Sequence, residues 1–182
     1  MPYRNGNYAA FYVDEPFYEG NLGSYSAHDF CYYQMLRMWK GGDSSFPFND
    51  SHMKNYNVRD GSNWEHTLKP RLRERLRNSK NIILFLSSCT KASVALTEEI
   101  KYGILSQGLP VIVVYPEFNP ILVDGAFDNR VYGLWDRLPA FGDNMDLVPT
   151  LHIPMTRERI RTALSSPNYM VQSMTTAGCY RL

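Results

Sequence analysis

The chain has 182 residues, the length of a single globular domain. Hydrophobic residues make up 44% and charged residues 20%, and the net charge of +1 argues against a dedicated nucleic-acid-binding protein. Three cysteines without a Cys-x-x-Cys spacing exclude a disulfide framework and favour a reducing, cytoplasmic environment. The longest apolar runs are too short for a membrane span, and the N-terminus lacks the apolar segment of a signal peptide, so we expect a soluble protein with no membrane partner.

The first part of the chain predicts a strand, a helix and a second strand. Asn7–Val13 is an aromatic and apolar run that favours a strand. Ser26–Lys40 contains neither Gly nor Pro, places its apolar residues on one side and is followed by two glycines, so it predicts a helix. Ser45–Asn49 is a candidate second strand, and Pro47 within it indicates an edge position because proline cannot donate to a ladder.

A second helix is expected to begin near residue 62. Ser62 and Glu65 have the spacing of a capping box, but Pro70 would break a helix interior. The alternative is that Thr67 caps a helix whose first turn contains Pro70. Both interpretations stay open at this point.

The remainder alternates strands with helices. Asn81–Leu86 and Pro110–Tyr115 are almost continuously apolar, as strands covered on both faces are. Between them Ser93 can cap a helix that runs to about Gln107, and Val148–Ile153 followed by Arg157–Leu164 predicts a last strand and helix.

This alternation predicts a flavodoxin-like three-layer α/β/α fold with a central parallel sheet in the order 2-1-3-4-5. We expect one domain over residues 1–173, with a loose tail at 174–182. The long loop at 116–148 should overhang the cleft at the carboxyl ends of the strands. Its aromatic residues either close over a flat ligand or pack a satellite core; they are Tyr132, Trp135 and Phe141.

The sequence contains few motifs that indicate a catalytic or binding function. The scattered histidines form no metal motif, and no glycine-rich dinucleotide or P-loop motif follows any strand, so we expect no metal. On the helix after Ser93, helical phase points Glu98 into water and places Glu99 on the flank, where a carboxylate can be partly desolvated. Such a carboxylate could stabilise an oxocarbenium ion, although an ordinary solvated acid paired with Lys or Arg fits the same pattern.

The run NIILFLSSCT…ALTEEIKYGI, followed by LPVIVVYP, resembles the TIR-like family, and more narrowly the TIR-like subunit of Thoeris anti-phage defence systems. The resemblance spans about residues 7–116. It implies a flavodoxin-like sheet and a hydrolase that cleaves NAD at the nicotinamide–ribose bond, as an NAD glycohydrolase or ADP-ribosyl cyclase. NAD is then a substrate and no cofactor is retained. An ADP-ribose-derived signal would reach a separate effector, and self-association is possible.

The resemblance also implies site residues. Glu99 falls on the family's catalytic glutamate, and Ala95 stands where many members carry a tryptophan that walls the pocket. The residues expected to bind substrate follow the strands at the same edge of the sheet: Phe11, Tyr12, Asp14, Ser88, Thr90 and Asn119. Since some TIR domains only mediate interactions, the alternative is a non-catalytic nucleotide-binding or protein-interaction module.

Overall fold

The computed structural model describes residues 4–13, 28–52 and 63–182. Asp14, which we expected to bind substrate, and Ser62, the candidate cap, lie outside the described residues. The strands are β1 (Gly6–Ala10), β2 (Ser79–Phe85), β3 (Val111–Tyr115), β4 (Leu122–Val123), β5 (Ala126–Phe127), β6 (Pro149–Pro154) and β7 (Gly178–Arg181). The helices are α1 (His28–Gly42), α2 (Lys69–Arg77), α3 (Val94–Lys101), α4 (Asn129–Asp136), α5 (Pro139–Gly142) and α6 (Arg157–Ser165).

A parallel sheet of five strands forms the centre of the domain, in the order β1-β2-β3-β6-β7. Successive residues of β3 enter opposite cores: Val111 and Val113 pack with α2–α5, while Ile112 and Val114 pack with α1 and α6. Burial on both faces explains why this strand is apolar throughout. The predicted flavodoxin-like α/β architecture, with helices on both faces of the sheet, is confirmed.

The predicted strand order 2-1-3-4-5 is not confirmed, because Ser45–Asn49 does not form a strand. Within the described residues this segment forms an isolated parallel bridge between Asn7 and Asp50. The N–H of Asn7 donates to the carbonyl of Asn49 at 2.6 Å, and the N–H of Ser51 donates to the carbonyl of Asn7 at 3.1 Å. Pairing does not extend back along the segment, where Pro47 has no N–H to donate.

The C-terminal segment expected to be loose contains β7. Residues Gly178–Arg181 pair in parallel with Pro149–His152 of β6 and extend the sheet by one strand. The sequence GCYR is short and contains a glycine and an arginine, so it lacks the apolar run that identified the central strands. An edge strand needs only one covered face, which explains the weak signal.

The segment at 116–148 is a folded subdomain rather than an open loop. It contains the β4–β5 hairpin, α4 and α5. Phe141 is completely buried, and the Trp135 indole donates a 2.7 Å hydrogen bond to the Tyr115 hydroxyl. Tyr132 is exposed over 44% of its surface. Phe141 and Trp135 thus pack with the main core on this face of the sheet rather than in a separate satellite core.

The helix caps explain where the site-bearing elements begin. A π-helical stretch over Trp64–Leu68 is capped by the Asn63 side chain, and α2 continues it with Pro70 in its first turn, where a missing N–H costs nothing. Ser93 caps α3 by accepting from the Leu96 N–H at 3.1 Å, as predicted. Among the helices of the described ranges, none is long and apolar enough to cross a bilayer.

Candidate functional site

Glu99 leans from α3 onto the first strand of the sheet. The hydroxyl of Tyr8, a fully buried residue of β1, donates a 2.7 Å hydrogen bond to Oε1 of Glu99. Glu99 itself is partly buried. This position agrees with the flank predicted by helical phase and differs from that of an ordinary solvated acid.

Burial controls the charge of Glu99. Removal from water raises the pKa of Glu99 to about 8, while the Tyr8 hydrogen bond and the positive charge of Arg75 favour the ionised form. Desolvation therefore favours the protonated carboxyl group in the free protein. A cation placed beside it would favour the carboxylate, so the ionisation of Glu99 is sensitive to what binds there.

Glu98 does not point into water as its helical phase suggested. Its Oε1 accepts from Nε of Arg73 at 2.7 Å and lies 2.6 Å from Nη2 of the same guanidinium. Only 20% of the Glu98 side chain is exposed. Helical phase treats a helix as isolated, whereas α2 packs beside α3 and brings Arg73 to this face.

His52 lies beside the outer edge of β1, next to Tyr8. Its ring centroid lies 4.6 Å from that of Tyr8, and its Nε2 lies 3.0 Å from the carbonyl oxygen of Ala9. Because a carbonyl only accepts, Nε2 carries the proton. Burial lowers the pKa of His52 to about 4, so the ring is neutral at physiological pH. The His52 side chain thus donates to the Ala9 carbonyl, a group that would bond to the backbone of a neighbouring strand if one extended this far.

A buried carboxylate, that of Asp29, ties the ends of two strands to α1. Its Oδ1 accepts from the Ser87 hydroxyl at 2.5 Å and its Oδ2 from the Thr90 hydroxyl at 2.9 Å. The backbone N–H of Tyr12 also bonds to it, and only 1% of Asp29 is exposed. Desolvation raises the pKa of Asp29 in spite of these donors. The cluster fixes the turn over Ser87–Thr90, whose tip is Ser88.

Ser88 already holds an anionic group. Its N–H donates to Oε2 of Glu117 at 2.8 Å, and its hydroxyl donates to Oε1 of the same carboxylate at 2.6 Å. The carbonyl of Ser88 accepts from Arg137 at 2.9 Å. The donors of Ser88, a residue that we expected to bind substrate, therefore form a two-point carboxylate site in the free protein.

The remaining predicted residues occupy different surroundings. Phe11 stacks on Tyr33 with ring centroids 5.4 Å apart, on the α1 side of the sheet. Tyr12 packs against the opposite core, on the side of α3. Thr90 is buried and its hydroxyl donates to the Asp29 carboxylate, so a binding role for Thr90 stays a prediction. Asn119 is exposed at the start of the segment after β3.

Ala95 stands at the position of the tryptophan that the resemblance implies. Ala95 is partly buried at that position. Another aromatic residue, Trp64, lines a groove on the other flank of α3 together with Val94, Thr97 and Glu98. Because Glu98 and not Glu99 lines this groove, we do not place the substrate there.

The sequence-based analysis missed Tyr8 and Asp29. Strand alternation places Tyr8 on the face of β1 that α3 covers, so combining the strand period with the helix prediction could have found its contact with Glu99. Asp29 lies in the first turn of α1, where an acid is a common helix-start residue. No sequence signal distinguished it from such a residue.

The parallel sheet, its two helical layers and a glutamate seated on β1 define an α/β protein of the flavodoxin-like class. A family model described as "Thoeris protein ThsB, TIR-like domain" matches residues 22–120, which is 99 of the 182 residues. The chain therefore belongs to the TIR-like domain family of the Thoeris protein ThsB, a family of anti-phage defence.

Proposed function

We propose that this protein is an NAD-cleaving enzyme that produces an ADP-ribose-derived signal during anti-phage defence. The observation that carries the proposal is Glu99, a partly buried carboxyl group held on the central sheet by the Tyr8 hydroxyl. A positioned, desolvated acid of this kind is suited to stabilise positive charge on a ribose ring. Family membership supports the same reaction.

In this proposal the bond between ribose C1′ and the nicotinamide nitrogen breaks, and both electrons leave with nicotinamide. The ionised Glu99 stabilises the resulting oxocarbenium ion by charge. A nucleophilic oxygen then bonds to C1′ and releases one proton to solvent. Water as nucleophile gives ADP-ribose, and an intramolecular or second nucleophile gives a cyclised or conjugated product that can activate a separate effector.

The proposed reaction needs an ionised Glu99, and the positive charge of the substrate favours that form. The free carboxyl group has a pKa of about 8, but the nicotinamide ring of NAD is a cation and favours the carboxylate when it binds nearby. The Ser88 donors are suited to the diphosphate, because they already hold a carboxylate with two hydrogen bonds. Phe11 and Tyr12 supply aromatic surface at the end of β1.

Nicotinamide release from NAD by the purified protein tests the proposal, with Glu99→Gln and Glu98→Gln compared side by side. We expect Glu99→Gln to lower turnover by about 10²–10³-fold, the effect of removing a preorganised electrostatic group. Glu98→Gln serves as the matched control, since it removes the neighbouring acid of the same helix. Equal small effects of the two substitutions would contradict the catalytic assignment.

The second candidate is a non-catalytic nucleotide-binding or interaction module. It is favoured by Ala95 in place of the family tryptophan and by the Glu117 carboxylate on the Ser88 donors. Because members of the family can be silent before infection, nucleotides from infected cells should also be analysed by mass spectrometry with wild type and Glu99→Gln. An NAD-derived product that depends on Glu99 would favour the enzyme; unchanged nucleotide pools would favour the module.

A further inference from the structure

The surroundings of Tyr8 fix its hydroxyl group against one carboxyl oxygen of Glu99. Its side chain is completely buried, and its ring packs 4.6 Å from His52, which is itself fixed to the Ala9 carbonyl. The hydroxyl therefore has little freedom, and it lies 2.7 Å from Oε1 of Glu99. Among the described residues no side chain donates to Oε2 of Glu99, so the second oxygen remains for a ligand.

We propose that Tyr8 is a positioning residue of the NAD-cleaving site: its hydroxyl fixes Oε1 of the ionised Glu99 and leaves Oε2 directed at the substrate. The inference rests on the proposed function for the reaction itself. Its geometric basis is the buried hydrogen bond between β1 and α3, which does not depend on activity.

The groups around Glu99 single out Tyr8 for this task. From β1 comes the Tyr8 hydroxyl, and from α2 the positive charge of Arg75. Glu98, the residue before Glu99 on α3, forms an ion pair with Arg73. Helix α5 also packs against α3, and its sequence PAFG brings no titratable side chain. Tyr8 is thus the hydrogen-bond donor to Glu99 within the described residues, and donation to a carboxylate stabilises the ionised form.

Carbon-13 NMR titration of the glutamate carboxyl groups tests the hydrogen bond directly in the full-length protein. The Glu99 resonance is assigned by its loss in Glu99→Gln. In Tyr8→Phe, which keeps the ring and removes only the hydroxyl, we expect the Glu99 midpoint to rise by about one pH unit. Tyr115→Phe is the matched control, because it also removes a buried strand hydroxyl but one that bonds to His152 and Trp135. It should leave the Glu99 midpoint unchanged.

The pH profile of kcat/KM for nicotinamide release tests the consequence for the reaction. Near neutral pH we expect Tyr8→Phe to be about tenfold slower than wild type. The difference should narrow, but not vanish, at pH values well above both midpoints, where only the lost positioning of the carboxylate remains. A merely structural role would lower kcat/KM by the same factor at every pH. That result, or an unmoved Glu99 midpoint, would overturn the inference. A wild type that releases no nicotinamide at any pH would instead overturn the proposed function, and the NMR midpoint would still decide whether Tyr8 controls Glu99.

Discussion

Ser88 and Glu117 form a closed pair in which both donors of the serine meet both oxygens of the glutamate, at 2.8 and 2.6 Å. Ser88 lies at the tip of the turn after β2, and Glu117 follows the end of β3. Both residues are exposed, so the pair lies at the protein surface and not in the core. A diphosphate that binds to Ser88 must displace this carboxylate.

We therefore predict that Glu117→Gln lowers the KM for NAD and leaves kcat unchanged. The substitution removes a competing negative charge, and an exposed charge contact of about 1 kcal/mol corresponds to roughly a fivefold change in affinity. Steady-state kinetics of nicotinamide release provide the measurement. Asp124→Asn is the control, since it removes an exposed acid of the same segment that lies in the β4–β5 turn. A higher KM in Glu117→Gln would mean that Glu117 assists binding.

Asp29→Ala should destabilise the protein by about 2–3 kcal/mol, because it leaves the buried hydroxyls of Ser87 and Thr90 without their acceptor. Asp29→Asn, which retains one carbonyl oxygen, should lose less. Urea unfolding at neutral pH measures both changes. If Asp29→Ala were as stable as wild type, the cluster would not hold the Ser87–Thr90 turn.

The strands that could be predicted from the sequence are those buried on both faces of the sheet. The runs at Asn81–Leu86 and Val111–Tyr115 are apolar on both faces, and the structure places them at the centre of the sheet. The order of the edge strands could not be obtained this way. At one edge the described residues beside β1 form a backbone bridge at Asp50 and a side-chain contact from His52 rather than a strand. At the other edge a four-residue strand carries little apolar character.

The candidate site also contains one residue that the sequence could locate and contacts that it could not. Helical phase located Glu99 on the flank of α3, because phase is a property of one helix. Its partner Tyr8 lies 91 positions away in sequence, and the partner of Ser88 lies 29 positions away. Contacts of this kind depend on which strands are neighbours. The sequence pattern alone therefore indicated the acid but not the donor that holds it.

Glu99→Gln should make stability less dependent on pH. The folded protein holds Glu99 with a pKa of about 8, whereas an unfolded glutamate titrates near 4.5. Between these values the folded state binds more protons, so the free energy of unfolding of wild type falls as pH rises, by at most ~1.4 kcal/mol per pH unit. Denaturant titrations across this window measure the slope, which Glu99→Gln should flatten throughout the window.

Glu98→Gln is again the control for that slope. It breaks the ion pair with Arg73 and should lower stability by about 1 kcal/mol or less at every pH in the window. Its slope should match that of wild type. An unchanged slope in Glu99→Gln would show that Glu99 is ionised in the folded protein at neutral pH.

His152 closes a buried chain of hydrogen bonds that joins four elements of the C-terminal half. Trp135 of α4 donates to the Tyr115 hydroxyl, which lies 2.7 Å from Nδ1 of His152, and Nε2 lies 3.2 Å from the Thr150 hydroxyl. Thr150 in turn donates to the carbonyl of Gly178 at 3.3 Å. This direction requires a neutral ring with the proton on Nε2. Protonation of Nδ1 would break the bond from Tyr115.

Acid should therefore destabilise the protein through His152. Burial lowers the pKa of His152 to about 3, whereas the unfolded ring titrates near 6.5. Between these values the unfolded state binds more protons, so stability falls as pH falls, by at most ~1.4 kcal/mol per pH unit from this group. His152→Gln should be less stable at neutral pH and should lose less on acidification, as measured by thermal unfolding at a series of pH values. The exposed His66→Gln should retain the wild-type slope. An equal acid slope in His152→Gln and wild type would assign the acid sensitivity to other groups, with buried His52 the next to test.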